Sequence, residues 1–332
     1  HSDYAFLGAR IELSNLYKQT PETFAECAKR ANLHGDVLAF VAEHATALEA
    51  AIDHARDDRY DFFATKTLLK SYLRKDPDTK RIVERPQYML MRIAAGIHHA
   101  SGDVGACIET YDALSRGEVS HATPTMFNSG TPHPQMASCF LMTIPDDSMD
   151  GILQSLTWCG KISKYAGGIG LDITKVRAKG SYIRGSDGVS NGIVPMLRVF
   201  DGIARYVDQG GGKRKGAIAI YVEPWHPEIF DFLELKKNHG KEELRARDLS
   251  YGLWIPDLFM RRVDADGDWS LFCPDDVPPL ATLYGDAFDE AYARAEATTG
   301  LAKRVVRARD VWNKMLESQI ETGYPYMLYK DC

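Results

Sequence analysis

Clustered cysteines are missing from this sequence. It holds six cysteines in 332 residues, with no Cys-x-x-Cys pair and no Cys/His cluster. This argues against a zinc site and against the disulfide framework of a secreted domain. We therefore expect reduced thiols, no metal site and a cytoplasmic location. The six are Cys27, Cys107, Cys139, Cys159, Cys273 and Cys332.

Long apolar runs and excess positive charge are missing too. No apolar stretch approaches the roughly 18 residues that a membrane helix needs. The net charge of −6 argues against broad binding to a nucleic-acid backbone, although it permits a local anion pocket. The chain opens on His1 with neither a methionine nor the apolar core of a signal peptide, so we expect a trimmed start. We predict no membrane and no nucleic acid as partner.

What is present is the composition of a globular protein, 45% hydrophobic and 26% charged, in a chain longer than one typical domain. Residues 1–118 carry apolar side chains at spacings of three and four, which is typical of amphipathic helices. The sequence thus predicts an all-helical N-terminal domain over 1–118. Its helices are predicted near 20–32, 36–55, 59–73, 86–100 and 104–116.

From residue 119 to 332, short apolar runs alternate with amphipathic segments. This alternation predicts an α/β domain with parallel strands and right-handed crossovers. Five strands are predicted near 138–143, 168–173, 217–222, 250–255 and 325–329. Helices are predicted between them near 148–164, 192–207, 227–237, 256–264, 282–297 and 308–322.

The stretch 121–141 is the most unusual part of the chain. It gathers hydroxyl side chains and prolines and then enters the apolar run Cys139–Thr143, which has the length of a buried strand. Cys139 is thus a thiol at the mouth of a strand, where α/β folds often place active sites. Two interpretations stay open, a reactive thiol and a small buried hydrophobe.

Three loops resemble anion or nucleotide sites, and each has a plainer interpretation. Asp147 or Ser148 is a good N-cap for the helix that begins near 148. The basic, glycine-containing loop 177–185 can bind phosphates or can simply be solvated surface. The segment 208–216, with three glycines followed by three cations, matches no phosphate-loop pattern and is also typical of a flexible turn.

The wording of the chain resembles one family over most of its length. Ala-Thr-Pro-Thr-Met-Phe-Asn-Ser-Gly-Thr followed by Pro-Gln-Met-Ala-Ser-Cys-Phe-Leu is similar to the first barrel strand of the class I ribonucleotide reductase large subunit. Further ordered blocks continue this resemblance. They are 166–170, 180–183, 195–199, 205–211, 245–248, 253–259 and 325–331.

The resemblance implies a fold and marks what this chain does not contain. The family has a ten-stranded α/β barrel made of two five-stranded halves, and residues 119–332 correspond to the first half, with its specificity-effector loops. A parallel half-barrel has open edges and an uncovered apolar face, so we expect it to need completion. The nucleotide-binding cone that usually precedes the helical domain is absent from this sequence, as is the Asn-x-Cys-x-Glu loop that carries the thiyl-forming cysteine.

Site residues follow from the resemblance alone. It implies that Cys139 belongs to the redox-active cysteine pair. It implies substrate binding by Thr123, Ser138, Gly168 and Arg214. It implies binding of an effector deoxynucleotide by Asp147, Ser148, Met149, Lys164, Arg177, Arg184, Gly185 and Gln209, with the Asp147 carboxylate on the sugar hydroxyl and the cations Lys164 and Arg177 on the phosphates.

The implied chemistry is the radical reduction of ribonucleoside diphosphates, in which a cysteine pair supplies two electrons and closes to a disulfide. The implied partners are the C-terminal remainder of the large subunit, a small subunit whose metal generates the radical, thioredoxin or glutaredoxin as reductant, and dNTP or ATP effectors with Mg²⁺. A homodimer through the helices near the effector site is also implied. Two alternatives stay open, a nucleotide-binding regulatory or assembly module without catalysis and a cobalamin-dependent reductase.

Overall fold

A computed structural model describes residues 3–165, 167–207 and 217–331 of the chain. Gln209, Arg214 and Cys332 lie outside the described residues. The chain divides into two compact units, His1–Ser138 and Cys139–Cys332. Within the described ranges, every helix is too short or too polar to cross a lipid bilayer.

The first unit is built around one buried helix. This helix begins at a proline, whose missing N–H would have no partner in the first turn, and its residues 86–96 are all buried. Its Arg92 is fully buried and donates to the Glu84 carboxylate at 2.7 Å. The described α-helices of this unit are α1 Asp3–Gln19, α2 Phe24–Arg30, α3 Gly35–Glu43, α4 Ala45–Ala51, α5 Phe62–Thr67, α6 Pro86–His98, α7 Val104–Arg116 and α8 Thr123–Asn128.

The helical prediction for this unit is confirmed in type but differs in detail. The predicted helix 36–55 is two α-helices followed by a 3-10 turn, and α1 was not predicted. Residues 123–128 form α8. Arg92 of α6 donates to the carbonyl oxygen of Met126 within α8 and to that of Ser129, which follows α8. These bonds tie the proline-rich stretch to the helical unit. The compact units accordingly divide after Ser138, later than residue 118.

The second unit contains a five-stranded parallel sheet. Its strand order is β1-β2-β5-β6-β9, and all four pairings are parallel. The predicted fold class, a helical domain followed by five parallel strands with crossover helices, is confirmed. The strands are β1 Cys139–Thr143, β2 Gly168–Asp172, β5 Ile218–Val222, β6 Ser250–Ile255 and β9 Tyr326–Tyr329, with the hairpin strands β3 Tyr182–Ile183, β4 Gly188–Val189, β7 Asp268–Phe272 and β8 Lys303–Arg307.

Helices cover one face of this sheet and form the core with it. Side chains such as Ile169, Leu171, Ile220 and Leu253 are almost completely buried there. The described helices of the unit are α9 Met149–Lys164, α10 Ile193–Tyr206, α11 Ile229–Glu234, α12 Asp257–Asp264, α13 Gly285–Ala297 and α14 Ala308–Thr322.

The other face of the sheet is open within this unit. Along β1, Cys139, Leu141 and Thr143 are exposed and alternate with half-buried residues, and the Leu141 side chain is 82% exposed. The expectation of a buried strand is therefore wrong for β1. The physical reason is that β1 is an edge strand whose outward side chains face no described layer of this unit.

Candidate functional site

A cavity of about 630 Å³ lies between α9 and α10 and beneath the β3–β4 hairpin. We call it the α9–α10 cavity. Apolar side chains from both helices form most of its wall, and polar groups gather where α9 begins. Its lining residues are Asp147, Ser148, Met149, Ile152, Leu153, Leu156, Val176, Arg177, Ile183, Gly185, Ser186, Val189, Ser190, Asn191, Gly192, Pro195, Met196, Val199 and Phe200.

The start of α9 is fixed by Ser148. Its extended backbone and its Oγ, which accepts from the Gly151 N–H at 3.0 Å, make it the N-cap of the helix. Of the two caps that the sequence allowed, the structure therefore has Ser148. Asp147 precedes the cap and is free to point its carboxylate at another group.

That group is Arg177, on the loop that follows β2. Its Nε donates to Asp147 Oδ2 at 2.6 Å, and each of these side chains is only 18% exposed. Arg177 Nη1 also donates to the Tyr182 carbonyl oxygen at 2.8 Å, and Nη2 lies 3.5 Å from Asp275 Oδ1. Burial opposes the charge of Arg177, but the hydrogen bond to Asp147 and the negative charges of Asp147 and Asp275 together outweigh burial and raise the pKa of the guanidinium. The polar end of the cavity thus holds a guanidinium whose position is fixed by its carboxylate partners.

The β3–β4 hairpin forms a wall that the sequence analysis missed. Its two-residue strands pair Tyr182 with Val189 and Ile183 with Gly188. The turn Gly185-Ser-Asp-Gly188 was the available signal, since Asp and Gly tolerate the positive φ that Asp187 adopts here at 55°. Asp275, which pairs with Arg177, was also missed because it lies far away in the sequence.

The structure brings together five of the predicted effector residues, namely Asp147, Ser148, Met149, Arg177 and Gly185. Lys164 and Arg184 are not among the residues that line the cavity. Lys164 is exposed in the last turn of α9, and at 1.5 Å per residue it lies roughly 22 Å along the helix axis from Met149. Arg184 is exposed in the hairpin turn, between two residues that line the cavity.

At the other end of the sheet, the structure brings Cys139 and Gly168 together. They are the first residues of β1 and β2 and are register partners, so their strands run about 4.8 Å apart there. Cys139 is exposed, and its register partner Gly168 has no side chain that could cover the thiol. A reagent can therefore reach the Cys139 thiol on the open face.

The other described cysteines differ from Cys139 in environment. Cys27, Cys107 and Cys159 are buried, and Cys273 is partly buried with its Sγ 3.0 Å from Ser181 Oγ. Burial raises the pKa of Cys107 and of Cys159 to about 12. Because thiol–disulfide exchange requires the thiolate, these two cysteines are poor redox groups.

Thr123 and Ser138 belong to the first unit. Thr123 opens α8, is half-buried, and its Oγ1 lies 3.4 Å from the Tyr72 hydroxyl. Ser138 is half-buried at the end of the unit, directly before Cys139. Both residues are therefore partly accessible.

Comparison with known proteins agrees with this architecture. A family model described as "Ribonucleotide reductase, barrel domain" matches residues 137–332, and one described as "Ribonucleotide reductase, all-alpha domain" matches residues 58–134. The large subunit of ribonucleoside-diphosphate reductase from Arabidopsis thaliana is 53% identical across all of this chain, which spans 42% of that protein. Those of Danio rerio and Dictyostelium discoideum are each 52% identical, with 43% and 39% of their length spanned. The chain belongs to the ribonucleotide reductase family, whose all-alpha and barrel domains it carries.

Proposed function

We propose that this chain is the N-terminal part of a ribonucleoside-diphosphate reductase large subunit and takes part in the radical reduction of ribonucleoside diphosphates. The observation that carries the proposal is Cys139, an exposed thiol at the start of β1 beside Gly168. In this role Cys139 supplies one of the two electron-donating sulfurs and closes to a disulfide, which thioredoxin or glutaredoxin then reduces. Thr123, Ser138, Gly168 and Arg214 would hold the substrate.

The proposal assigns the second redox cysteine and the thiyl-forming cysteine to the remainder of the large subunit. The open face of the sheet supports this assignment. It exposes Leu141 and leaves Trp254 and Tyr326 each 38% exposed, an apolar surface that a second half-barrel would cover. The radical itself would come from a small subunit that contains the metal, and the cytoplasm would be the site of the reaction.

We further propose that the α9–α10 cavity binds a deoxynucleoside triphosphate or ATP effector, together with Mg²⁺. Its apolar helical walls suit a base, and Asp147 and Arg177 at its polar end suit a sugar hydroxyl and phosphates. Since Arg177 is already paired with Asp147, the phosphates would compete with that carboxylate for the guanidinium or share the guanidinium with it.

Lys164 lies too far along α9 to reach the same ligand within one chain. A two-fold contact between antiparallel copies of α9 would bring Lys164 of a second chain to the start of the first α9. Exposed apolar side chains on these helices support such a homodimer: Leu153 is 48%, Val199 55% and Tyr206 86% exposed. Gln209 and Arg214 follow α10 in the sequence. We propose that these two residues transmit which effector is bound from the effector site to the substrate site.

The test is reduction of a ribonucleoside diphosphate by the full-length protein, supplied with its small subunit and a dithiol reductant. We expect deoxynucleotide to form over many turnovers. The rival function, a nucleotide-binding regulatory module, predicts effector binding with no reduction under the same conditions. Reduction that requires cobalamin in place of the small subunit would favour the other class of reductase.

A further inference from the structure

Residues 223–228 follow β5 and lead into α11. This segment is buried for most of its length and carries Glu223, His226 and Glu228, which are 3%, 0% and 6% exposed. Buried polar side chains need partners, and all three find them. Each contacts the segment 174–179 that carries Arg177.

His226 holds the backbone next to Arg177. Its Nε2 lies 2.9 Å from the Val176 carbonyl oxygen, and its Nδ1 accepts from the Glu228 N–H at 3.2 Å. Because a carbonyl oxygen only accepts, Nε2 must carry the proton. Burial lowers the pKa of His226 to about 4, so the ring stays neutral in this tautomer at physiological pH.

Glu228 joins the loop that carries Arg177 to the start of α10 with one oxygen. Its Oε2 accepts from the Lys179 N–H at 2.9 Å and from the Ile193 N–H at 3.1 Å. Lys179 lies two residues beyond Arg177, and Ile193 is the first residue of α10, whose N-terminus also favours a negative charge. Gly192 makes the approach possible, since a Cβ there would lie 2.4 Å from the carboxylate oxygens.

We infer that Glu228, supported by His226, is a positioning residue of the nucleotide cavity: it sets the separation between the Arg177 loop and α10 without touching the ligand. The inference rests on the proposed effector site. Glu228 is not among the residues that line the α9–α10 cavity, so its effect on a nucleotide must pass through the backbone of these two walls.

Two variants separate the effect of side-chain length from the effect of charge. Only a side chain as long as glutamate can accept from both N–H groups. Glu228→Asp keeps the carboxylate but shortens the side chain by one carbon–carbon bond, about 1.5 Å, so it cannot hold both N–H groups. Glu228→Gln keeps an acceptor oxygen at full reach and removes the charge. Asp231→Ala is the matched control, because it removes an exposed carboxylate from α11 and leaves Glu228 in place.

The experiment is calorimetric titration of the full-length protein with thymidine triphosphate and with thymidine monophosphate. A displaced Arg177 no longer contacts the outer phosphates, which only the triphosphate carries. We therefore expect Glu228→Asp to lower the preference for triphosphate over monophosphate about tenfold. Glu228→Gln and Asp231→Ala should stay within about twofold of the unmutated protein. In an Arg177→Ala background, Glu228→Asp should cause no further loss of preference, since the residue that it positions is gone.

The outcomes separate the inference from the proposal on which it rests. If the unmutated protein does not bind the triphosphate, or if Arg177→Ala binds it normally, the proposed effector site is wrong. If Arg177→Ala weakens binding but Glu228→Asp keeps the full triphosphate preference, only the inference is overturned. A merely structural role for Glu228 predicts a lower melting temperature with that preference unchanged, which also overturns it.

Discussion

Arg177 is the residue through which the cavity would recognise phosphate. Its guanidinium is held by Asp147, by the Tyr182 carbonyl oxygen and, more loosely, by Asp275. Such a fixed guanidinium loses little side-chain freedom when a phosphate arrives, which favours binding. The cost is that the phosphate must share Arg177 with two carboxylates.

We expect Arg177→Ala to weaken binding of thymidine triphosphate at least tenfold, since a charge-assisted contact contributes about 1.5–3 kcal/mol. Calorimetry on the full-length protein measures this. Arg184→Ala is the matched control, because Arg184 lies in the same basic loop, 177–185, but not in the cavity wall. Equal losses in the two variants would mean that general positive charge, and not Arg177, attracts the nucleotide.

Asp57 is a buried carboxyl in the first unit, 2% exposed. It accepts from the Tyr17 hydroxyl and, at 2.7 Å, from Gln87 Nε2. Burial raises its pKa from 3.8 to about 6, although these two hydrogen bonds oppose the rise. The folded protein therefore holds this proton more tightly than the unfolded chain does.

The sign of the pH effect follows from the raised pKa. The contribution of Asp57 to stability is fully present below pH 4 and is lost as the pH rises through 6, by at most roughly 3 kcal/mol. Asp57→Asn removes this titration. We therefore expect the melting temperature of the unmutated protein, relative to that of Asp57→Asn, to rise as the pH falls from 7 to 4. The exposed neighbour variant Asp58→Asn should show no such trend, and a parallel pH profile for Asp57→Asn would contradict the assignment.

Sequence patterns indicated some site residues and could not indicate others. Ser148 and Arg177 stand in local signals, a helix cap and a basic loop with glycines, and both line the cavity. Glu228 and Asp275 act on the Arg177 loop from 49 and 98 positions further along the chain, as the contacts Lys179–Glu228 and Arg177–Asp275 show. No local pattern encodes such a partner, because the fold alone brings the two segments together.

At the scale of elements, the five sheet strands were predictable because each is a short apolar run between turn residues. The strands β7 and β8 were not predictable. The sequence Lys303-Arg-Val-Val-Arg307 is mostly charged, and its partner, residues 268–272, is separated from it by α13. The exposure of β1 was not predictable either. A continuous apolar run is typical of a strand that is buried on both faces of its sheet. In β1, the side chains on one face are exposed, because no described layer of this unit covers them.

Glycines on the open face make room for one aromatic ring. A Cβ at Gly252 would lie 2.7 Å from Tyr221 Cε1, and one at Gly170 would lie 3.0 Å from Cε2 of the same ring. Tyr221 also makes edge-to-face contacts with Tyr326 and Trp254, at centroid distances of 5.7 and 6.3 Å. The Tyr221 ring is thus fixed between β2 and β6, which carry Gly170 and Gly252 at the positions nearest to its edges.

We expect Gly252→Ala to destabilise the protein by about 1–3 kcal/mol, because the added methyl group must displace the Tyr221 ring from a packed position. Thermal unfolding of the full-length protein followed by circular dichroism measures this. Gly202→Ala is the control: it lies within α10 with no atom in reach of a Cβ, so it should stabilise by up to about 1 kcal/mol. A Gly252→Ala variant as stable as Gly202→Ala would show that the ring moves freely.

At the scale of the whole molecule, this chain spans 39–43% of the length of the relatives compared above. It carries an exposed thiol at a sheet edge and a nucleotide-sized cavity in the same unit. The five parallel strands leave an apolar face uncovered within that unit. These features fit one half of a two-part catalytic barrel better than they fit a regulatory module, which has no chemical need for the Cys139 thiol.

The most direct test of this account is the yield of deoxynucleotide per large subunit for Cys139→Ser, measured in the full-length protein with its small subunit and excess dithiol. Serine preserves the shape of the side chain but cannot form a disulfide. We predict that Cys139→Ser abolishes multiple-turnover reduction, with effector binding and melting temperature unchanged, while the matched variant Cys273→Ser retains turnover. Sustained turnover by Cys139→Ser would contradict the account and leave Cys139 as a packing residue of an edge strand.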